Sequence, residues 1–234
     1  MIRQFVIFGA TGDLTIRKLL PAIGELFADG RLPDDFSIVG VSYEDFDSGS
    51  FREQVRKELP KKAPSLSAKL RDAILCRLDY RRADVRKPED VAAAVARGSE
   101  PIVAYLALPP QFFEPAIRAL AGCDLPDGSR IVVEKPFGQD LASARKLNDL
   151  LHRSFAEENV FRLDHFLGRQ TVQNILGLRF ANRIFEPLWT NTHVERVEIV
   201  WDEVLGLEGR AGYYDRRITC CNCWRWSPWS RPSP

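Results

Sequence analysis

The feature that most constrains the fold is an apolar run, Phe5 to Phe8, that leads directly into the turn Gly9-Ala10-Thr11-Gly12-Asp13-Leu14. A segment with helical periodicity follows, because Leu19, Leu20, Ile23, Leu26 and Phe27 fall on one helix face. Strand, turn and helix are therefore predicted in that order. Glycines in such a turn let the backbone approach a pyrophosphate, whose charge helix N-terminal amides can meet. The alternative is an ordinary connection between a strand and a helix.

The same alternation continues along the chain. Strands are predicted at Ser37 to Ser42, Ile102 to Leu108 and Arg130 to Val133, and helices at Phe51 to Leu59, Pro88 to Val95, Gln111 to Leu120 and Leu141 to Leu151. Alternation of this kind predicts an α/β fold in which helices cover both faces of a doubly wound parallel sheet. After Asn159 the pattern changes to a short strand, Val160 to Leu163, a helix near Gln170 to Phe180, and a strand from His193 to Trp201. We therefore expect a first domain over residues 1–160 and a second from residue 161.

Charge and hydropathy exclude several partners. Lysine and arginine together number 33 and aspartate and glutamate 32, so net charge supports neither nucleic-acid nor membrane-surface binding. The amino terminus enters the first apolar run directly, so we expect no signal peptide, and the sequence contains no apolar stretch of the roughly 18 residues that would span a bilayer. We expect a cytoplasmic protein with a small-molecule partner.

The turn after the second predicted strand bears on the choice of coenzyme. It reads Val41-Ser42-Tyr43-Glu44-Asp45. An acidic group there favours the free 2′-hydroxyl of NAD, whereas a cation favours the 2′-phosphate of NADP. Arg17 and Lys18 are alternative, less well placed cationic partners, so both coenzymes remain open at this point.

Three later segments carry groups suited to an anionic, hydroxyl-rich substrate. Lys135 follows a predicted strand, and ligands bind at the carboxyl ends of strands in open α/β sheets. Asp164 can orient an imidazole, while His165 and Arg169 can bind phosphate oxygens. Glu203 and Asp215 offer acceptors for sugar hydroxyls. The alternatives are a solvated Lys135, a structural His165, and an ion pair between Arg162 and Asp164.

Several short motifs follow one another over residues 4–215: Gly9 to Leu14, Tyr105-Leu106-Ala107-Leu108-Pro109-Pro110, Glu134-Lys135-Pro136-Phe137-Gly138, Arg162 to Arg169, Leu178-Arg179-Phe180-Ala181-Asn182, and Glu208-Gly209-Arg210-Ala211-Gly212-Tyr213-Tyr214-Asp215. These motifs and their order closely resemble those of glucose-6-phosphate dehydrogenases. The resemblance implies a Rossmann-like domain followed by an α+β domain. It also implies NADP-linked oxidation of glucose 6-phosphate to the 6-phosphogluconolactone, in the pentose phosphate pathway, by a homo-oligomer.

The resemblance also assigns residues. Those implied to bind coenzyme are Gly9, Thr11, Gly12, Asp13, Leu14, Lys18 and Lys135, and those implied to bind the sugar phosphate are Lys135, His165, Phe166, Arg169, Glu203 and Asp215. Asp164 would be the partner of the catalytic histidine. Phe166 replaces a tyrosine, Arg169 replaces a lysine, and Tyr43 stands where NADP-preferring members carry an arginine.

The residues from 216 to 234 depart from the family. Its catalytic histidine follows the Gly-Tyr-Tyr-Asp motif in a segment reading Gln-Asn-His-Leu-Leu-Gln, whereas this chain continues with Cys220, Cys221 and Cys223 among tryptophans and prolines. Cysteine and tryptophan codons begin with TG. In the frame two bases downstream, these two bases complete a codon of the form NTG, which encodes leucine, valine or methionine. Back-translation with chosen codons gives His-Leu-Leu-Gln-Leu-Leu-Ala-Leu. We therefore predict a frameshifted tail, the alternative being a genuine tail. The cysteines lack the second ligand pair of a zinc site, and no metal is predicted.

A second domain limited to residues 161–215 would be incomplete. We expect it to expose apolar surface, to be sensitive to proteolysis, and to lack the family's homo-oligomer interface. The expected product is a truncated, inactive dehydrogenase. The alternative is a dinucleotide-binding module without catalysis.

Overall fold

The computed structural model describes residues 2–95, 100–138, 140–164, 167–196 and 198. The chain divides into two compact units, one ending at Leu163 and the other beginning at Asp164. The first unit is built on one parallel sheet of six strands. The strands are β1 (Gln4–Phe8), β2 (Ser37–Ser42), β3 (Leu78–Arg82), β4 (Ile102–Leu106), β5 (Arg130–Glu134) and β6 (Val160–Leu163).

The strand order is β3-β2-β1-β4-β5-β6, and every neighbouring pair is parallel. From β1 the chain adds β2 and β3 on one side and then β4, β5 and β6 on the other, so the switch point lies between β1 and β4. Val6 of β1 pairs with Val39 of β2 and with Ala104 of β4. In doubly wound sheets, ligands bind at that switch point, beyond the carboxyl ends of the strands. The predicted α/β class and Rossmann-like sheet are confirmed.

Helices cover both faces of the sheet. They are α1 (Leu20–Ala28), preceded by a π-helical turn at Thr15–Leu19, α2 (Ser48–Lys62), α3 (Ala68–Arg77), α4 (Pro88–Val95), α5 (Phe113–Ala121) and α6 (Leu141–Ser154). Short 3₁₀ turns occur at Pro110–Phe112 and Glu157–Asn159. Successive side chains of a strand point to opposite faces, so Val6 and Phe8 are buried in the core under α4, α5 and α6, and Ile7 in the core under α1, α2 and α3.

Two of these helices begin at aspartate caps. The side chain of Asp47 accepts a hydrogen bond from the amide of Ser50 at 2.7 Å, and Asp140 accepts one from Ser143 at the same distance. In each case the backbone amide of the aspartate also donates to the serine hydroxyl at 3.0 Å. The two backbone amides, of the aspartate and of the serine, are therefore both hydrogen-bonded at the start of the helix. These caps fix the starts of α2 and α6.

The structure differs from the sequence prediction in four elements. Helix α3 and strand β3 were not predicted. Strand β6, predicted to open the second domain, pairs with β5 and buries Val160 beside Ile131, so the sheet of the first unit extends to Leu163. The predicted strand from residue 193 is wrong over 193–196 and 198, because the amides of His193 and Val194 both donate to the carbonyl of Thr190 and form a local turn. Residues 199–201 lie outside the described residues.

The second unit contains α7 (Gln170–Phe180), as predicted, and a 3₁₀ turn at Glu186–Leu188. Helix α7 has no buried residue. Large apolar side chains are exposed along this unit: Ile175, Leu178, Phe180, Ile184, Phe185 and Leu188. Of the helices in the described part of the chain, none is long and apolar enough to cross a bilayer.

Candidate functional site

The glycine turn after β1 is held against the neighbouring strands. Gly9 has a φ of +84°, and a Cβ atom there would lie 2.3 Å from the carbonyl oxygen of Ala107. Its amide donates to the carbonyl of Val41 at 2.8 Å. A side chain at this position would therefore force apart the loops that follow β1 and β4. Glycine is required here by the packing of the two loops, and the predicted approach of a pyrophosphate to this turn stays a prediction.

A cleft with a volume of about 440 Å³ opens at this turn. It lies at the carboxyl ends of β1, β2, β3 and β4, which is where ligands bind in sheets of this kind. The residues that line it are Gly9, Thr11, Gly12, Val41, Ser42, Tyr43, Glu44, Ala83, Asp84, Val85, Arg86, Ala107, Leu108, Pro109 and Phe112. The cleft therefore combines a polar wall after β2 with apolar side chains after β3 and β4.

Three side chains form a hydrogen-bonded chain along the polar wall. The Thr11 and Ser42 hydroxyl oxygens lie 3.1 Å apart, and the Ser42 hydroxyl donates to the carboxylate of Glu44. Since the single Ser42 hydrogen is used for Glu44, Thr11 is the donor to Ser42. This chain links the glycine turn to the turn after β2.

The cations near the cleft are paired with carboxylates. Arg86 donates to Asp84 through Nη2 at 2.7 Å and through Nε at 2.9 Å, and Arg82 donates to Asp45 at 3.0 Å. The hydrogen bonds from Arg86 lower the pKa of Asp84 to about 2. Both arginines are therefore bound to acidic partners in this structure.

Three residues predicted to bind coenzyme lie near the glycine turn but do not line the cleft. Asp13 forms ion pairs with Arg17 at 3.0 Å and Lys62 at 2.9 Å, and the hydrogen bond from Lys62 holds the pKa of Asp13 below its usual range. Leu14 and Lys18 are exposed on the following helical turn. Gly9, Thr11 and Gly12 do line the cleft. The assignment of all six to coenzyme stays a prediction.

Lys135 follows β5, one strand further along the sheet, and is joined to Pro136 by a cis peptide bond. Its side chain is half-buried, and its Nζ atom is buried. The preceding residue, Glu134, accepts a hydrogen bond from the buried hydroxyl of Tyr105 on β4. Burial and the nearby carboxylate raise the pKa of Tyr105, so this phenol is a donor throughout the physiological range. The Tyr105 hydrogen bond ties the end of β5 to β4 directly before Lys135.

Among the residues predicted to bind substrate in the second unit, Asp164 and Arg169 are described. Asp164 is buried, and its carbonyl accepts from the amide of Gly168 at 3.2 Å. Arg169 is exposed and immediately precedes α7. Arg162, for which an ion pair with Asp164 was one alternative, binds Glu157 at 2.8 Å. His165, Phe166, Glu203, Asp215 and the tail 216–234 lie outside the described residues.

The sequence prediction missed the far side of the cleft. Asp84 and Arg86 follow β3, a strand that was itself not predicted. Phe112 and the pair Leu108-Pro109 follow β4. The rule that ligands bind beyond the carboxyl ends of strands, applied to β4, would have found this second group.

Comparison with known families covers most of the chain. Residues 6–174 match the family described as "Glucose-6-phosphate dehydrogenase, NAD binding domain", and residues 176–219 match "Glucose-6-phosphate dehydrogenase, C-terminal domain". The first match includes the glycine turn, all the residues that line the cleft, Lys135 and Asp164.

Individual relatives carry the same name. The glucose-6-phosphate 1-dehydrogenase of Zymomonas mobilis is 42% identical over 224 residues, which span 92% of this chain and 45% of the relative. That of Gluconobacter oxydans is 40% identical over 221 residues, which span 91% and 45%. This chain therefore spans a little under half the length of these relatives.

Solved structures agree with the sequence matches. A glucose-6-phosphate dehydrogenase in complex with its substrate glucose 6-phosphate superimposes with a TM-score of 0.77 at 31% identity, over 92% of this chain and 47% of that one. The Mycobacterium avium glucose-6-phosphate 1-dehydrogenase gives 0.70 at 34% identity, over 80% and 41%. The chain belongs to the glucose-6-phosphate dehydrogenase family.

Proposed function

We propose that the cleft beyond β1, β2, β3 and β4 binds a nicotinamide dinucleotide. The observation that carries this proposal is the Gly9 turn, which packs against the Ala107 carbonyl and lines the cleft together with Thr11 and Gly12. Such a turn lets a pyrophosphate approach the backbone, and the apolar side chains of Val85, Leu108 and Phe112 suit a planar base. The family resemblance favours NADP, and the acidic turn after β2 favours NAD.

For a chain that carries the family's catalytic histidine, the proposed reaction is the oxidation of glucose 6-phosphate at C1 to the 6-phosphogluconolactone. When bound, the coenzyme supplies a hydride acceptor. Lys135, His165 and Arg169 would bind the sugar phosphate through charge-assisted hydrogen bonds, and Glu203 and Asp215 would accept from sugar hydroxyls. Phe166 takes the place of a phosphate-binding tyrosine, and its lack of a hydroxyl should weaken substrate binding. Asp164 would orient the histidine that removes the C1 hydroxyl proton.

We further propose that the chain with this sequence binds coenzyme but does not turn over. The family's histidine is replaced by the segment that begins at Arg216, and the match to the C-terminal domain stops at Thr219, directly before Cys220. Without a base, the C1 hydroxyl proton has no acceptor when the hydride leaves. The second candidate, a dinucleotide-binding module that lacks a substrate site, rests on the same cleft.

Binding and turnover measured separately distinguish these functions. Titration of the purified chain with NADH and NADPH, followed by coenzyme fluorescence, should give saturable binding, and assays with glucose 6-phosphate should give no coenzyme reduction. Failure of both coenzymes to bind would contradict the proposed cleft function. Only two residues separate Asp215 from the shifted frame, so the hypothesis includes a short deletion beside the frameshift. A second protein, in which the deleted segment is restored after Asp215 and the shifted frame continues to its own stop, should reduce coenzyme in the presence of glucose 6-phosphate. If that protein binds coenzyme without turnover, the binding-module function is favoured.

A further inference from the structure

The turn after β2 places a carboxylate on the polar wall of the cleft. Strand β2 ends at Ser42, and Glu44 follows two residues later as a lining residue of the cleft. In sheets with this strand order, an acidic residue near the end of the second strand hydrogen-bonds the ribose 2′-hydroxyl of a dinucleotide, and a cation there accommodates a 2′-phosphate. Glu44 therefore occupies the position at which the two coenzymes are distinguished.

Glu44 is held in place from two sides. Its carboxylate accepts the Ser42 hydroxyl hydrogen, and its backbone carbonyl accepts the Tyr80 hydroxyl hydrogen at 2.8 Å. Tyr80 also donates to the carbonyl of Ser42 at 3.2 Å, so β3 anchors both residues of the turn. The carboxylate is a fixed part of the wall, and its remaining lone pairs can accept further hydrogen bonds.

Arg86 is the one cation among the described lining residues, and its partner is Asp84 rather than Glu44. Arg86 is bound by two hydrogen bonds to Asp84, and Arg82, beside the cleft, is bound to Asp45. Tyr43 is 70% exposed and contributes a neutral ring. The lining residues include two carboxylates, Glu44 and Asp84, and one cation, Arg86, so the lining of the cleft has an excess of negative charge. A phosphate monoester, which carries about −1.5 to −2 at pH 7, would meet a fixed carboxylate here.

We propose that Glu44 makes this cleft select coenzymes with a free 2′-hydroxyl, so that the chain binds NAD in preference to NADP. The proposal rests on the proposed function that the cleft binds a dinucleotide. The 2′-hydroxyl of NAD donates to the Glu44 carboxylate, whereas the 2′-phosphate of NADP is largely deprotonated at pH 7 and is repelled by it.

Parallel titrations with NADH and NADPH test the preference without requiring turnover. The unmodified chain should bind NADH about 10- to 100-fold more tightly, as expected for a hydrogen bond to a charged group that one ligand makes and the other lacks. Glu44→Gln keeps the shape and an acceptor for Ser42 but removes the charge, and should reduce this ratio by about tenfold. Tyr43→Arg should raise the affinity for NADPH and leave that for NADH nearly unchanged.

Glu25→Gln is the matched control, because it removes the same charge from an exposed position of α1 outside the cleft. It should leave the ratio unchanged. Equal or tighter binding of NADPH by the unmodified chain would overturn the preference while leaving the dinucleotide site intact. An unchanged ratio in Glu44→Gln, with circular dichroism like that of the parent, would overturn the role of Glu44. Failure to bind either coenzyme would overturn the proposed function itself.

Discussion

The hydroxyl of Tyr80 donates to the carbonyl oxygen of Glu44 across 2.8 Å, from the middle of β3 to the turn that follows β2. Through this bond a residue that does not line the cleft controls the position of one that does. Tyr80 is itself buried against Phe51, with ring centroids 4.7 Å apart, so its hydroxyl has little freedom to move. The polar wall of the cleft is therefore supported by the core beneath it.

Replacing Tyr80 with phenylalanine should destabilise the first unit by about 1 kcal/mol, because the carbonyls of Ser42 and Glu44 lose a donor. The same change should weaken coenzyme binding, since the Glu44 turn loses its anchor. Urea unfolding and NADH titration measure the two effects. Unchanged NADH affinity would show that Tyr80 does not position Glu44.

Alkaline pH should destabilise the parent more than the Tyr80→Phe variant. Burial, and then the charge of Glu44, raise the pKa of Tyr80 from 10.0 to about 12. Between these values the unfolded chain releases the phenolic proton and the folded chain keeps it, so this contribution is present below pH 10 and is lost as pH rises towards 12. Urea unfolding between about pH 8 and pH 11 should show a shallower decline in the variant, because one raised tyrosine pKa is removed.

Gly9→Ala should destabilise the chain and abolish coenzyme binding. The backbone conformation alone costs about 1–3 kcal/mol for a residue with a side chain, and the new Cβ would clash with the Ala107 carbonyl oxygen. Gly30→Ala is the matched control, since Gly30 has a φ of +65° and nothing within 4 Å of its added Cβ. It should show the conformational cost and keep coenzyme binding. Equal unfolding free energies for the two variants would argue against the clash.

Tyr105→Phe should destabilise the first unit by about 1–3 kcal/mol, because it leaves the half-buried carboxylate of Glu134 without this donor. Glu134→Gln and the double variant complete a cycle of unfolding free energies. A coupling energy near zero would show that the bond between β4 and β5 contributes no stability.

Limited trypsin digestion should cut first in the second unit. Arg169, Arg179 and Arg183 are located on or beside α7, which has no buried residue, whereas the first unit has two buried cores. Mass spectrometry should identify a persistent fragment that ends near residue 169 and still binds coenzyme. Early loss of the first unit would contradict this.

Sequencing the gene across the codons for Tyr214 to Pro234 tests the proposed frameshift. The DNA should contain a second frame that encodes a histidine followed by a leucine-rich segment. Absence of a longer open frame beyond the present stop would contradict the hypothesis and favour a genuine tail.

The amino-acid pattern was sufficient to predict most of the sheet. Ser37–Ser42 and Val160–Leu163 were predicted at their observed bounds, because β-branched and apolar residues dominate them. Strand β3 was missed because Leu78-Asp79-Tyr80-Arg81-Arg82 contains three charged residues, and its buried side chains become evident only beside β2. The pairing of β6 with β5 could not be predicted from the four residues of β6 alone, because it depends on the rest of the sheet.

For the site, the glycine turn could be predicted because a tight turn with a positive φ favours glycine, which is visible in the sequence. The anchoring of Glu44 could not, since it depends on Tyr80, 36 positions away. Ion pairs such as that of Arg82 with Asp45, 37 positions apart, are equally invisible to periodicity. Chemistry that depends on long-range pairing required the folded structure.

The pairing of β1 with β4 has a consequence for the order in which the chain can fold during synthesis. Phe8 pairs with Leu106, so the central strand of the sheet gains its second neighbour only after roughly a hundred further residues have been made. At about 5–20 residues per second, that interval is on the order of 5–20 s. During that interval β2 is the neighbouring strand of β1 that has been made, so the other edge of β1 stays unpaired until β4 follows.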